Sequence, residues 1–140
     1  MDSSTVNQSS HTVGIFIFPN GDKYEGEYVI LDGGVIERQG YGKHTCASTG
    51  ICYEGTWLND MLNGEGSYTH KLGAIYEGHF KNNKFHGAGK YSWPDGMSCV
   101  GQFVENRLQG KGQFYDQEGH SWVGTFRGKV AAGLQLHLQV

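Results

Sequence analysis

A short phrase recurs every 23 residues in this chain, and that recurrence limits its fold more than any other feature. Tyr53-Glu54-Gly55-Thr56-Trp57 returns as Tyr76-Glu77-Gly78-His79-Phe80, as Cys99-Val100-Gly101-Gln102-Phe103 and as Trp122-Val123-Gly124-Thr125-Phe126. Eleven residues after each of the first three starts stands a Gly-x-Gly: Gly64/Gly66, Gly87/Gly89 and Gly110/Gly112. Units in strict register describe a tandem array, in which each unit buries its apolar face only against its neighbours. Upstream the pattern continues with a disturbance. Tyr24-Glu25-Gly26-Glu27-Tyr28 opens a unit whose Gly-x-Gly is Gly40/Gly42, and it lies 29 residues before Tyr53. Five of the six extra residues fall between Tyr28 and Gly40, in a β-branched stretch around Asp32-Gly33-Gly34 that reads as a lengthened hairpin. Still earlier, Gly14 to Gly21 matches the second half of a unit.

The alternation inside each unit has period 2, the period of a strand. One face collects Tyr53, Gly55, Trp57, Leu62, Gly64, Gly66 and Tyr68, then Tyr76, Gly78, Phe80, Phe85, Gly87, Gly89, Tyr91 and Trp93. The other collects Glu54, Thr56, Leu58, Glu65, Ser67 and Thr69, which suit water. One apolar and one polar face is the pattern of an antiparallel sheet. The glycines have a use in it, because a ring lies flat over a neighbouring strand only where that strand has no Cβ. The expected fold is therefore all-β: a single-layer, elongated, twisted antiparallel meander of about eleven strands. The array is expected over 13–127, with a disordered polar tail at 1–12 and a capping strand within 128–140. Leu134, Leu136, Leu138 and Val140 alternate with Gln135, His137 and Gln139 in that last segment.

Composition narrows the function. Formal charge is −3, with 11 basic and 14 acidic residues spread along the chain, so no positive stripe is available to follow a nucleic acid backbone. The 23 glycines with only 2 prolines exclude collagen and Pro-rich disorder. The N-terminal MDSSTVNQSSHT has no basic and apolar leader, and no apolar run is long enough to span a bilayer. Cys46, Cys52 and Cys99 are an odd number and read as reduced thiols in a cytoplasmic protein. No nucleotide loop is expected, since no Gly-Lys-Ser/Thr follows any Gly-x-Gly. His44 and Cys46 share a strand face, but Cys52 points to the other, so a structural zinc is not expected. Glu54 and Glu77 are equivalent solvent-face positions in successive units, which removes them as a catalytic carboxylate pair. Neither an enzyme nor a cofactor site is expected.

Tyr-x-Gly-x-aromatic followed by Gly-x-Gly at a 23-residue period resembles the MORN (membrane occupation and recognition nexus) repeat, over about residues 13–127. The lengthened first unit and Cys99, where the family has Tyr, depart from its pattern. The resemblance implies a curved sheet that holds a helical or extended partner segment. It also implies scaffold roles in cilia, sperm structures such as the acrosome, and vesicle-associated assemblies. On that basis an exposed aromatic groove is expected along Trp57, Leu62, Tyr68, Phe80, Phe85, Tyr91, Trp93, Phe103, Leu108 and Phe114, rimmed by Lys84 and Arg107. The structural positions are Tyr24, Gly26, Tyr53, Gly55, Gly64, Gly66, Tyr76, Gly78, Gly87, Gly89, Gly101, Gly110, Gly112, Trp122 and Gly124. A peripheral membrane module for acidic phospholipids (phosphoinositides) is the alternative. Only weak lipid binding is expected, given the negative charge and scattered lysines.

Overall fold

The computed structural model describes residues 12–126. Within them the chain forms ten strands, each hydrogen-bonded to the strands before and after it in sequence. They are β1 (Thr12–Ile17), β2 (Lys23–Ile30), β3 (Ile36–Thr45), β4 (Cys52–Leu58) and β5 (Met61–Thr69), followed by β6 (Ile75–Lys81), β7 (Lys84–Ser92), β8 (Ser98–Val104), β9 (Arg107–Tyr115) and β10 (Ser121–Phe126). All nine pairings are antiparallel. The expected all-β meander is what forms, and the one helical element among the described residues is the 3-10 turn Asp32–Gly34. Strand β1 begins at Thr12, one residue inside the segment read as tail. The tail itself and the capping strand lie outside the described residues.

Two kinds of turn alternate. At one end of the strands the hairpins are two residues long. Asn59-Asp60, Asn82-Asn83 and Glu105-Asn106 all have φ between 48° and 72°, the left-handed pair that matches the twist of adjacent strands. At the other end the turns have five residues, six between β3 and β4, and carry a glycine, as where the Gly21 N–H donates to the Phe18 carbonyl and the Gly96 N–H to that of Trp93. The lengthened hairpin is the exception, as expected. Its arms pair Tyr28 with Arg38, Val29 with Glu37 and Ile30 with Ile36, so β2 and β3 extend past their neighbours.

The register lines the glycines up. Gly14, Gly26, Gly42, Gly55, Gly66, Gly78, Gly89, Gly101, Gly112 and Gly124 pair one with the next, giving an unbroken row of bare backbone across all ten strands. Two positions away runs a second row: Phe16, Tyr24, His44, Tyr53, Tyr68, Tyr76, Tyr91, Cys99, Phe114 and Trp122. The two glycines of each Gly-x-Gly do different things. The second belongs to the bare row. The first, at Gly40, Gly64, Gly87 or Gly110, has φ between 76° and 95° and sits in a bulge where the register of the hairpin shifts. A left-handed residue in a bulge kinks its strand and increases the local twist. Repeated once per unit, the bulge coils the sheet.

Successive units are also stitched by their hairpin tips. The Leu62 N–H donates to Asn83 Oδ1 at 2.8 Å, and the Asn83 N–H returns to the Leu62 carbonyl at 3.0 Å. Phe85 and Asn106 repeat this exchange at 2.9 and 3.0 Å. Arg38 and Asp60 do the same at 3.0 and 3.1 Å. Thus each two-residue turn clips onto the hairpin before it.

Candidate partner-binding face

Rings from the Tyr row lean across the bare glycine row instead of standing up from the sheet. Tyr76 is the clearest case. Its hydroxyl donates to the His79 carbonyl at 2.9 Å, its ring lies against Gly89, and it stacks on Phe85 at 3.8 Å with 6° between the planes. Phe80 and Phe103 meet the same ring edge-on at 5.2 and 5.0 Å. Tyr24 repeats the arrangement over Gly42, with its hydroxyl 2.6 Å from the Glu27 carbonyl. Burial raises the hydroxyl pKa of both, that of Tyr24 to about 12.

This packing corrects the expected groove. Trp57, Leu62, Tyr68, Phe80, Phe85, Tyr91, Phe103, Leu108 and Phe114 are all buried, and only Trp93 of the expected groove residues stays half-buried. The physical reason lies in the glycine row: rings that lie down in a trough of bare backbone cover one another and leave no channel above them. Lys84 and Arg107 are displaced too. Each adjoins a buried residue, Phe85 or Leu108, so by strand alternation it points to the opposite face, where both line a shallow recess with Val104, Glu105 and Gln109. Of the expected structural positions, Gly64, Gly87 and Gly110 fall in the bulges, and the others lie in the glycine and Tyr rows, with Tyr53 half-buried and Trp122 exposed among them.

The ring face opens at the first unit. In the slot of Leu62, Phe85 and Leu108 this unit has Arg38, and in the slot of Tyr68, Tyr91 and Phe114 it has His44. Asp60 likewise stands where later tips have Asn83 and Asn106. These replacements are coupled. Arg38 Nε donates to Asp60 Oδ1 at 2.7 Å and its terminal nitrogens reach the Asp60 carbonyl (2.9 Å) and His44 Nδ1 (3.0 Å). The guanidinium lies 4.4 Å over the Trp57 ring, a cation–π contact. His44 Nε2 meets Asp22 Oδ2 at 2.9 Å. The bond from His44, with a second from the Ala47 N–H, holds the Asp22 carboxyl below its usual range. Desolvation pushes the Asp60 carboxyl upward, and the Arg38 bonds outweigh it, so that group too is held low. Beside this network a cavity of about 250 Å³ opens, lined by Arg38, His44, Cys46, Tyr53, Trp57 and Asn83. The lengths of the units hid it, whereas aligning the slots, apolar in three units and cationic in one, would have found it.

Asp22, His44 and Cys46 bring three ligand-type atoms within 4.8 Å of one another. Their hydrogen bonding does not suit a cation. A guanidinium only donates, so His44 Nδ1 must accept and the imidazole proton sits on Nε2, facing Asp22. A metal at Nε2 would have to displace that proton toward a donor, beside a fixed positive charge. Cys52 makes its contact with Thr45 Oγ1 at 3.6 Å instead. Burial keeps the Cys46 and Cys99 thiols protonated, Cys99 with a pKa of about 11.

One family of known repeats matches this architecture. The MORN repeat matches residues 53–71, 76–98 and 99–121, each stretch beginning at the head of an even-numbered strand, β4, β6 or β8. A search of curated proteins found no match. Among solved structures the chain is similar to the TCP10c domain of Drosophila melanogaster Sas-4, with 16% identity and a TM-score of 0.22, over 82% of this chain and 100% of that one. The chain thus carries three MORN repeats, matched in register over residues 53–121 and set within one open meander of strands.

Proposed function

We propose that this chain is a non-catalytic scaffold that holds a segment of a partner protein, anchored at the recess of the first unit. The observation that carries the reading is the recess itself. On a face sealed by lying rings, the one unit that departs from the repeat opens about 250 Å³ between Tyr53, Trp57 and Arg38. Pockets with apolar walls and a few directed polar groups are where ligand groups anchor. Tyr53 and Trp57 supply the walls, and the Asn83 side-chain amide supplies a donor, because its oxygen is taken by Leu62. A helical or extended segment inserting one side chain here would run on over Cys46 and the neighbouring turn.

Phosphoinositide binding fares less well on the described residues. Along one row of the outer face Glu25, Lys43, Glu54, Ser67, Glu77 and Lys90 pair in sequence, so acids outnumber bases there, and Lys84 of the Lys81–Lys84 pair lies 3.8 Å from Glu105. The test fills the recess. Wild type and Cys46→Phe are compared as baits, with captured proteins quantified, and both are offered vesicles containing phosphoinositides. A specific partner lost in Cys46→Phe, at an unchanged melting temperature, supports the reading. A partner held equally by both, or tight vesicle binding that persists near 0.3 M salt, where the Debye length falls below about 8 Å, overturns it.

A further inference from the structure

We propose that copies of this chain join head to tail, β10 of one pairing antiparallel with β1 of the next, so that the sheet continues across the junction. Strand polarity comes first. The ten described strands alternate in direction, so β10 runs opposite to β1. A second copy placed beyond β10 in the same orientation therefore presents its β1 antiparallel to it, as every neighbour within the array does.

Register is the second support. If the glycine row continues, Gly124 pairs with Gly14 of the next copy. Trp122 then pairs with Phe16, and Val123 with Ile15, by the spacing that β9 and β2 already use. Aromatic thus meets aromatic on the ring face, and β-branched meets β-branched on the outer face. Both partners are there to be covered: Trp122 is 47% exposed, Val123 63% and Ile15 67%, with Val13 and Ile17 beside Ile15 at 68% and 67%.

The third support is what the edges lack. Soluble proteins guard sheet edges with Lys, Pro, bulges or inward charges. Neither Thr12–Ile17 (TVGIFI) nor Ser121–Phe126 (SWVGTF) contains a charged residue or a proline. The pairings of β1 with β2 and of β9 with β10 run without a register shift. In contrast the middle of the outer face carries the charged row described above. The occupant that best fits an uncharged strand with this row pattern is the complementary strand of the same chain.

Such a contact is heterologous and makes an open chain of copies, unlike a two-fold dimer. One strand pair with a few apolar side chains belongs to the small, weak class of interfaces, so assembly should respond to concentration. The competing occupant of the β10 edge is the chain's own 134–140 segment, with its alternating leucines.

The experiment is sedimentation velocity on the full chain. Average mass should rise at least about threefold between roughly 1 and 300 µM, as weak pairing requires. Ile15→Lys blocks one end and Val123→Lys the other. Each variant alone should stay monomeric with an unchanged melting temperature, and an equimolar mixture should form a one-to-one dimer through the two unblocked ends. A wild type that stops at a dimer, one that stays monomeric throughout, or one that grows only after residues 127–140 are removed would each overturn the proposal. So would a mixture that stays monomeric.

Discussion

Gly89→Ala isolates the logic of the fold, because two effects of opposite sign compete at that position. Gly89 lies in strand β7 and its φ is not in the left-handed range, so alanine is conformationally acceptable there. On backbone entropy alone the change should stabilise the protein by about 0.5–1 kcal/mol. The structure predicts the reverse. A Cβ built on Gly89 falls 2.2 Å from the Tyr76 hydroxyl oxygen and 2.5 Å from Cε1 and Cζ of the same ring. That ring cannot yield cheaply: it is fully buried, stacked on Phe85 and hydrogen-bonded to His79. Lifting it loses one net hydrogen bond, about 1 kcal/mol, and the strain of overpacking adds about 1–3. After the entropic gain is set against this, the net loss is about 1–3 kcal/mol, or roughly 5–15 °C in melting temperature for a chain of this size. Thermal unfolding followed by near-UV circular dichroism reads it directly. Tyr76→Leu should remove most of the penalty, so that the alanine costs less in that background than in wild type. A Gly89→Ala protein that melts at or above the wild-type temperature would refute the account of rings lying in a glycine trough.

Phe85→Ser should lower the melting temperature by more than about 10 °C, since Phe85 is fully buried and loss of such a ring costs about 3–5 kcal/mol; a shift of only a few degrees would restore the open groove. Asn83→Ala removes the acceptor of the Leu62 N–H and puts alanine at φ 70°, for a loss of about 1–3 kcal/mol by urea unfolding, whereas exposed Thr56→Val should stay within about 0.5. The carboxyls of Asp22 and Asp60 are held below their unfolded values, so their contribution is present above the ordinary carboxylate range and is lost as pH falls through the lowered pKa. Wild type should therefore lose its advantage over Asp22→Asn between about pH 5 and pH 2, measured as melting temperature against pH; an advantage that persists at pH 2 would contradict the account of a carboxylate held by the His44 and Ala47 hydrogen bonds. For Asp60, half-exposed at its side chain, the same loss should be smaller.

Much of this fold was legible because a 23-residue period repeats the same local physics. Tyr76-Glu77-Gly78 beside Gly87-Ala88-Gly89 specified strand, face and the partnership of ring with bare backbone. The lengthened hairpin around Asp32-Gly33-Gly34 was legible from its turn residues and β-branched arms. What escaped was the consequence of combining these pieces. A period-2 reading put Gly64 and Gly66 in equivalent roles, whereas the first adopts a left-handed bulge and the second stays in the row. The bulge coils the sheet and the rings lie down, so side chains expected to form an open groove became the core. The tips escaped as well: Asn82-Asn83 is a turn signal, but its clasp on Leu62 depends on where the next unit lands in space. In the candidate site, Arg38 and His44 were visible as residues, though their meaning appears only once their slots are compared across units.

The unbroken glycine row also has a mechanical consequence. On the outer face no side chain stands along that line across the ten described strands, whereas on the other face the lying rings fill it, so bending toward the rings is resisted by their packing and bending is easier in one sense than in the other. Loads applied from one end of the array to the other meet a different response. They pass through the strand pairings in series, with no second layer among the described residues to share them, and the weakest pairing alone sets the force at which the array opens.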